Sequence, residues 1–180
     1  MRPSPHELVA VVALAAALAG CSDDTPFAPA TATPEKQFIF QGVRVEERRD
    51  DGLAWQATAE RASGDIANAD ATGVKIRHFP DGASAGHVVD ITAPRGKLAF
   101  DEQKAVLEDV RIVSQADSAV VTSTVAHYDG KAEKVALDGP LALTAPGLTM
   151  TAPRGEVFLK DGHMDVEGPV VGRYDRSPPR

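Results

Sequence analysis

The feature that most constrains this chain is a repeat with a period near thirty residues. Ile91-Thr92-Ala93-Pro94-Arg95-Gly96-Lys97-Leu98 matches Met150-Thr151-Ala152-Pro153-Arg154-Gly155-Glu156-Val157, and Val121-Thr122-Ser123 starts a weaker copy between them. A turn follows in each copy, at Asp101-Glu102, Asp129-Gly130 and Asp161-Gly162. Each copy then ends on an alternating apolar run. These runs are Val106-x-Glu108-x-Val110-x-Ile112, Val135-x-Leu137-x-Gly139-x-Leu141-x-Leu143 and Met164-x-Val166-x-Gly168-x-Val170. A more distant copy spans Ala57-Thr58-Ala59 to Gly73-Val74-Lys75-Ile76.

Alternation with a period of two places the apolar residues on one face of a sheet. Asp-Gly between two such runs is a hairpin signal, because Gly accepts the positive φ of tight turns. The Pro-Arg-Gly step predicts a bulge, since Pro removes a ladder donor and Gly relaxes the backbone. Pro140 and Pro169 follow glycines inside strand patterns and should interrupt the ladder there. Helical periodicity is weak throughout, and Trp55-x-Ala57-x-Ala59 alternates as a strand does. Repeated hairpins that each bury one face predict an all-β, antiparallel domain of sandwich, barrel or jelly-roll type.

The ends read differently. An apolar run from Leu8 to Ala19 is too short for a membrane span, which needs about 20 residues, and has the length of a signal-peptide core. It leads into Leu18-Ala19-Gly20-Cys21, which resembles the lipobox of bacterial lipoproteins, a family in which the cysteine is lipidated. Residues 1–20 are therefore expected to be a signal peptide. Residues 21–37 hold Pro26, Pro29 and Pro34 with no apolar period, as a flexible tether would. Residues 38–172 make the domain, and 173–180 a disordered tail. Cys21 is the only cysteine, so no disulfide and no thiolate metal site can form within the chain.

Charge and spacing narrow the chemistry. A net charge of −7 argues against a nucleic-acid partner, which selects basic surfaces. His78, His87, His127 and His163 fall in different repeats without metal-ligand spacing, and no nucleophile-elbow or P-loop motif occurs. Neither metal nor cofactor nor catalytic residue is expected. The acid pairs Asp23-Asp24, Glu46-Glu47 and Asp50-Asp51 read as solvated surface, and Asp129 and Asp161 as turn residues.

At this point the residues resemble a family. Trp55-Gln56-Ala57-Thr58-Ala59-Glu60-Arg61-Ala62 is similar to an early strand of the LptC/LptA group of periplasmic lipopolysaccharide-transport proteins. The recurring Thr-Ala-x-x-Gly strand (Thr92 to Gly96, Thr151 to Gly155) and the strand Val135 to Leu143 also match. The resemblance is closest to LptC. It implies an OstA-like β-jellyroll, an open "taco" of two facing twisted sheets, and no enzyme activity. It also implies acceptance of lipopolysaccharide acyl chains from an inner-membrane ABC transporter (LptB/F/G-like), and delivery along a jellyroll bridge to an LptA-like partner by edge-strand pairing. Better-known LptC proteins carry a transmembrane helix, where this chain has a lipidation signal at Cys21. The transporter-proximal role implies a periplasmic protein anchored in the inner membrane, although Ser22 after the cysteine fits outer-membrane sorting.

On this reading the groove is lined by Val74, Ile76, Ile91, Leu98, Val110, Ile112, Val135, Leu137, Leu141, Leu143, Met150, Val166 and Val170. Phe100, Val106, Val157 and Leu159 lie on the same apolar face, and small residues such as Ala57, Ala59, Ala93 and Ala152 leave room. The incoming edge is Phe38 to Val45 and the outgoing edge Glu156 to Gly172, with Gly168 and Val170 at the contact. Two other readings use the same residues. One is a structural or assembly lipoprotein with a closed β core and no lipid cargo. The other is a sugar-binding jelly roll, for which the 5% aromatic content offers little stacking platform.

Overall fold

The structure is a computed structural model and describes residues 38–50, 52–80 and 87–175. The expected signal peptide, the tether, Cys21 and residues 176–180 lie outside the described residues. The described residues contain strands and turns and no helix.

Twelve strands form one antiparallel sheet. In chain order they are β1 (Phe38–Arg49), β2 (Gly52–Gly64), β3 (Ala69–His78), β4 (Val89–Ala99), β5 (Lys104–Ser114), β6 (Ala119–Asp129), β7 (Lys134–Leu137), β8 (Leu141–Ala145), β9 (Leu148–Ala152), β10 (Arg154–Phe158), β11 (Met164–Glu167) and β12 (Val171–Tyr174). Each of the first six pairs with the next. Beyond β6 the long strands are broken in two: β7 and β8 both pair β6, β10 and β9 pair β7 and β8, and β11 and β12 finish the sheet. The result is a meander with two free edges, β1 and the β11–β12 line. The expected all-β open jellyroll is the observed fold, with its two walls belonging to one continuous folded sheet. Arg49, at the end of β1, forms an ion pair at 2.7 Å with Glu133 in the β6–β7 turn, which ties one wall to the other.

The core lies on the concave face. Leu107, Ala126, Val135 and Leu159 have no exposed surface, and Ile91, Val74, Val110 and Leu137 have 1%. Each large aliphatic side chain buried this way contributes about 1.5–3 kcal/mol. The convex face carries cross-strand ion pairs, among them Arg77–Asp90 at 2.7 Å and Arg95–Glu108 at 2.8 Å. Exposed pairs of this kind add little stability.

A seam crosses the sheet and explains the repeat. Thr92 faces Arg111, Arg111 faces Thr122, Thr122 faces Ala142, and Ala142 faces Thr151. The three repeated threonines thus lie in one row on every second strand, and one repeat is one hairpin. Two residues further on, Pro94, Thr124 and Pro153 fall on a line with Gly42, Glu60, Gly73 and Asp109 where the ladder lapses. In β3 and β4, for example, Thr72 faces Arg95 and Val74 faces Ala93, with no pair recorded between. Gly42, Gly73, Asp109 and Gly168 have φ of 64°, 61°, 52° and 86°, a conformation that favours Gly and is tolerated by Asp. Glu60, Thr124 and Pro153 sit over the neighbouring glycines Gly73, Gly139 and Gly168: a Cβ added there would come within 2.5, 2.4 and 2.7 Å of them.

The seam corrects three sequence expectations. The Pro-Arg-Gly step is not a bulge, because Pro94 has the same number of residues opposite it. The extra residues fall instead at Gly139-Pro140 and Gly168-Pro169. Ala126 faces Leu137 and Ser123 faces Leu141, which leaves two residues on β6 opposite three. Second, alternation does not run through β5. Ala105 and Leu107 point inward before Asp109, Val110 and Ile112 after it, so Val106 faces solvent at 39% exposure. Third, the domain ends later than expected: Arg173 and Tyr174 belong to β12, where they pair Thr149 and Leu148.

Candidate functional site: an apolar concave face with open ends

The structure brings the predicted groove residues onto one concave face but does not leave all of them accessible. Val74, Ile76, Ile91, Leu98, Val110, Ile112, Val135, Leu137 and Leu141 are fully buried in the core, with Val157 and Leu159. Phe100, Leu143 and Val166 are partly buried against that core, and Met150 is half-buried. Val170 is exposed, in the break between β11 and β12.

Accessible apolar surface lies toward the ends of this face. At the β1 edge a hollow of about 600 Å³ is lined by Phe38, Phe40, Val43, Ala62, Ile66 and Phe100. Phe40 faces Ala62 across the ladder and Phe38 faces Gly64, which places both rings on the face that buries Ala62. The two rings stack at 5.8 Å, and with Ile66 they remain 46%, 54% and 68% exposed. The backbone N–H of Phe100 donates to Ile66 O at 3.0 Å and holds the hollow's two turns together. Near the opposite edge, Leu143 faces Met150 and Leu148 faces Tyr174. Tyr174 is 66% exposed. Sequence reasoning missed Phe38, Phe40, Ile66, Leu148 and Tyr174 as lining residues. The signal for the two phenylalanines was their alternation ahead of Gly42.

A second hollow of about 780 Å³ follows the seam, lined by Arg111, Thr122, Thr124, Pro140, Thr151 and Pro153. It is larger, but Arg111, Thr122, Thr124, Thr151 and Pro153 are exposed residues of the outer face, and it is a trough left where the strands bend. The chemistry of an acyl chain fits the concave hollow better, since its lining is mostly apolar, with Gln41, Arg44, Ser63 and Asp65 among the residues around it.

Away from the hollow, polar groups are built into the core. Glu47, Trp55 and His78 are neighbours in one row, since Glu47 faces Trp55 and Trp55 faces His78. Trp55 Nε1 donates to Glu47 Oε2 at 2.9 Å. Arg49 reaches Glu47 at 3.5 Å and Glu133 at 2.7 Å, and the hydrogen bond to Glu133 holds its pKa above the usual arginine value. Glu47 is therefore not the plain solvated surface the sequence suggests, but a half-buried acceptor. Burial pushes the pKa of His78 below its ordinary value, and burial raises that of Tyr128. Among the described residues no three His, Cys, Asp or Glu side chains cluster as metal ligands. Asp129 and Asp161 accept from the backbone N–H of Ala132 and His163, at 2.9 and 3.3 Å, as turn residues do.

The free edges are narrower than expected. β1 is one edge, and residues 164–174 the other. Glu156 to Phe158 are interior because β11 covers β10. Gly168 and Val170 do lie on the free edge.

The sequence matches the family profile described as "Lipopolysaccharide-assembly, LptC-related" over residues 8–175. The chain belongs to that LptC-related family. It is thereby a component of lipopolysaccharide transport in the periplasm. No curated protein matches the chain. A similar solved structure is that of LptH, described as the LptA homologous periplasmic component of the conserved lipopolysaccharide transport device from Pseudomonas aeruginosa. It shares 6% identity, the alignment covers 74% of this chain and 82% of that one, and the TM-score is 0.30.

Proposed function

We propose that this LptC-related protein is the transporter-proximal carrier, taking lipopolysaccharide acyl chains from an inner-membrane ABC transporter of LptB/F/G type. The chains would enter the concave face at the β1 edge and leave past the β11–β12 edge, to an LptA-like jellyroll that pairs with that edge. A lipid on Cys21 would hold the protein to the inner membrane, with the domain in the periplasm.

One observation carries this reading. The hollow bounded by Phe38, Phe40, Ile66 and Phe100 extends the concave apolar face and stays open to solvent. Exposing a buried CH₂ to water costs about 0.8 kcal/mol, so a chain of about a dozen carbons meets a barrier on the order of 10 kcal/mol. A continuous apolar face removes most of that barrier without any bond being made or broken. Unpaired edge strands supply the partner contacts, since each is a template for another strand.

The closed-core reading has one observation in its favour, the full burial of Val74 to Leu141 in the predicted groove. Displacement of a fluorescent long-chain fatty acid by lipopolysaccharide separates the two. The carrier reading predicts that Phe40→Asp and Ile66→Asp each weaken binding at least tenfold while outward-facing Ile39→Asp leaves it unchanged. Absence of probe binding by the unmutated protein, or full binding by both concave variants, would select the closed core.

A further inference from the structure

His78 is an unusual core residue. It is 1% exposed, and neither ring nitrogen has a hydrogen-bond partner within the protein. Buried polar atoms without partners are rare and call for an explanation. Its surroundings join the two walls of the folded sheet. From β1 come Glu47 and Arg49, from β2 Trp55, from β4 the apolar Val89, from the β6–β7 turn Glu133. Tyr128, on β6, is also buried with an unpartnered hydroxyl, in the field of the same Glu47, Arg49 and Glu133. The one direct ion pair across the walls in this cluster is Arg49–Glu133 at 2.7 Å.

We propose that His78 is an acid-sensitive latch on the closed side of the jellyroll, and that its protonation parts β1–β3 from the β6–β7 turn. The neutral ring is compatible with the closed core. A protonated ring has two N–H donors and a charge, with no acceptor in place. The carboxylates that could receive it, Glu133 and Glu47, are the ones engaged by Arg49 and by Trp55 Nε1. Satisfying the ring therefore means loosening the contacts that close the walls, or admitting water.

The direction with pH follows. Burial lowers the pKa of His78 in the closed state, and the opened state takes up a proton near the ordinary value of about 6.5. The closed state is fully favoured above that value. It loses ground as pH falls, by up to about tenfold in the open-to-closed ratio per pH unit, until the depressed pKa is reached. The latch does not depend on lipid being the cargo, and its test contains none.

Hydrogen exchange of the full chain between pH 7.5 and 5, corrected for the intrinsic rate, reads the opening directly. Amides in residues 47–55 and 126–134 should open up to about tenfold more per unit below pH 6.5, and convex-face amides of β4 should not. His78→Phe should make the profile flat, and His78→Asn, also neutral throughout, should do the same if the larger ring perturbs folding. Arg49→Gln should raise opening at pH 7.5 and keep the slope. A flat profile in the unmutated protein, or an unchanged slope in both His78 variants, would overturn the latch.

Discussion

The seam makes a prediction that separates crowding from backbone strain. Gly139 has no left-handed backbone, so Ala is conformationally acceptable there. Its Cβ, however, would lie 2.4 Å from Thr124 Oγ1, with the next side-chain atom at 3.7 Å. Thr is stiff about χ1, so Gly139→Ala should cost about 1–2 kcal/mol, in the range of overpacking. For a domain of this size that lowers Tm by roughly 3–6 °C. Thr124→Ala removes the offending oxygen from an exposed position and should by itself fall within about 0.5 kcal/mol. The double variant should recover most of the loss, a coupling on the order of 1 kcal/mol in a double-mutant cycle. Gly73→Ala is the contrast. Its Cβ meets the flexible side chain of Glu60 at 2.5 Å, but its φ is 61°, a left-handed conformation costing about 1–2 kcal/mol for other residues. Glu60→Ala should therefore not rescue it. Urea midpoints of the six proteins provide the assay. Unchanged stability in Gly139→Ala, or no recovery in the double variant, would refute the knob-over-glycine account.

Other expectations are simpler. Leu137→Ala should cost about 2–5 kcal/mol by the same assay, since the side chain is 1% exposed and the cavity has little freedom to collapse. Arg95→Ala should leave the urea midpoint unchanged despite its 2.8 Å contact with Glu108, because that contact is solvent-exposed. Cys21→Ser should release the protein from the membrane fraction on cell fractionation, as loss of a lipid anchor would. Gly168→Ala should destabilise the fold itself, because φ is 86° and its Cβ would lie 2.7 Å from Pro153 Cγ. A deletion or change there is thus a poor probe of partner docking alone.

Much of this was legible in the sequence because a strand's period is short and regular. The hairpin repeat, the turns at Asp129 and Asp161, the breaks at Pro140 and Pro169 and the apolar face from Val74 to Leu141 all follow from alternation and turn chemistry. What failed was phase. Where Asp109 takes a positive φ, the strand exchanges its faces, so Leu107 is inside and Val106 outside. A rule of strict alternation has no term for that exchange. The repeated Thr-x-Pro and Thr-x-Thr steps marked the place without revealing its geometry. The inter-wall cluster was also invisible. Glu47, His78 and Glu133 are distant in sequence and meet only because the sheet folds back. The hollow at Phe38 and Phe40 was hidden for a related reason: which side of β1 faces inward depends on Gly42.

The central claim is that acyl chains lie on the concave face, entering through its open hollow. Site-specific photo-crosslinking in cells tests it most directly. A photoreactive residue would replace Phe40 or Met150 on the concave side, and Ile39 or Thr149, their outward neighbours, as controls. The account predicts lipopolysaccharide trapped at Phe40 and Met150 and none at the controls. Equal trapping on both faces, or none at either concave position in a protein that is folded and exported, would contradict it.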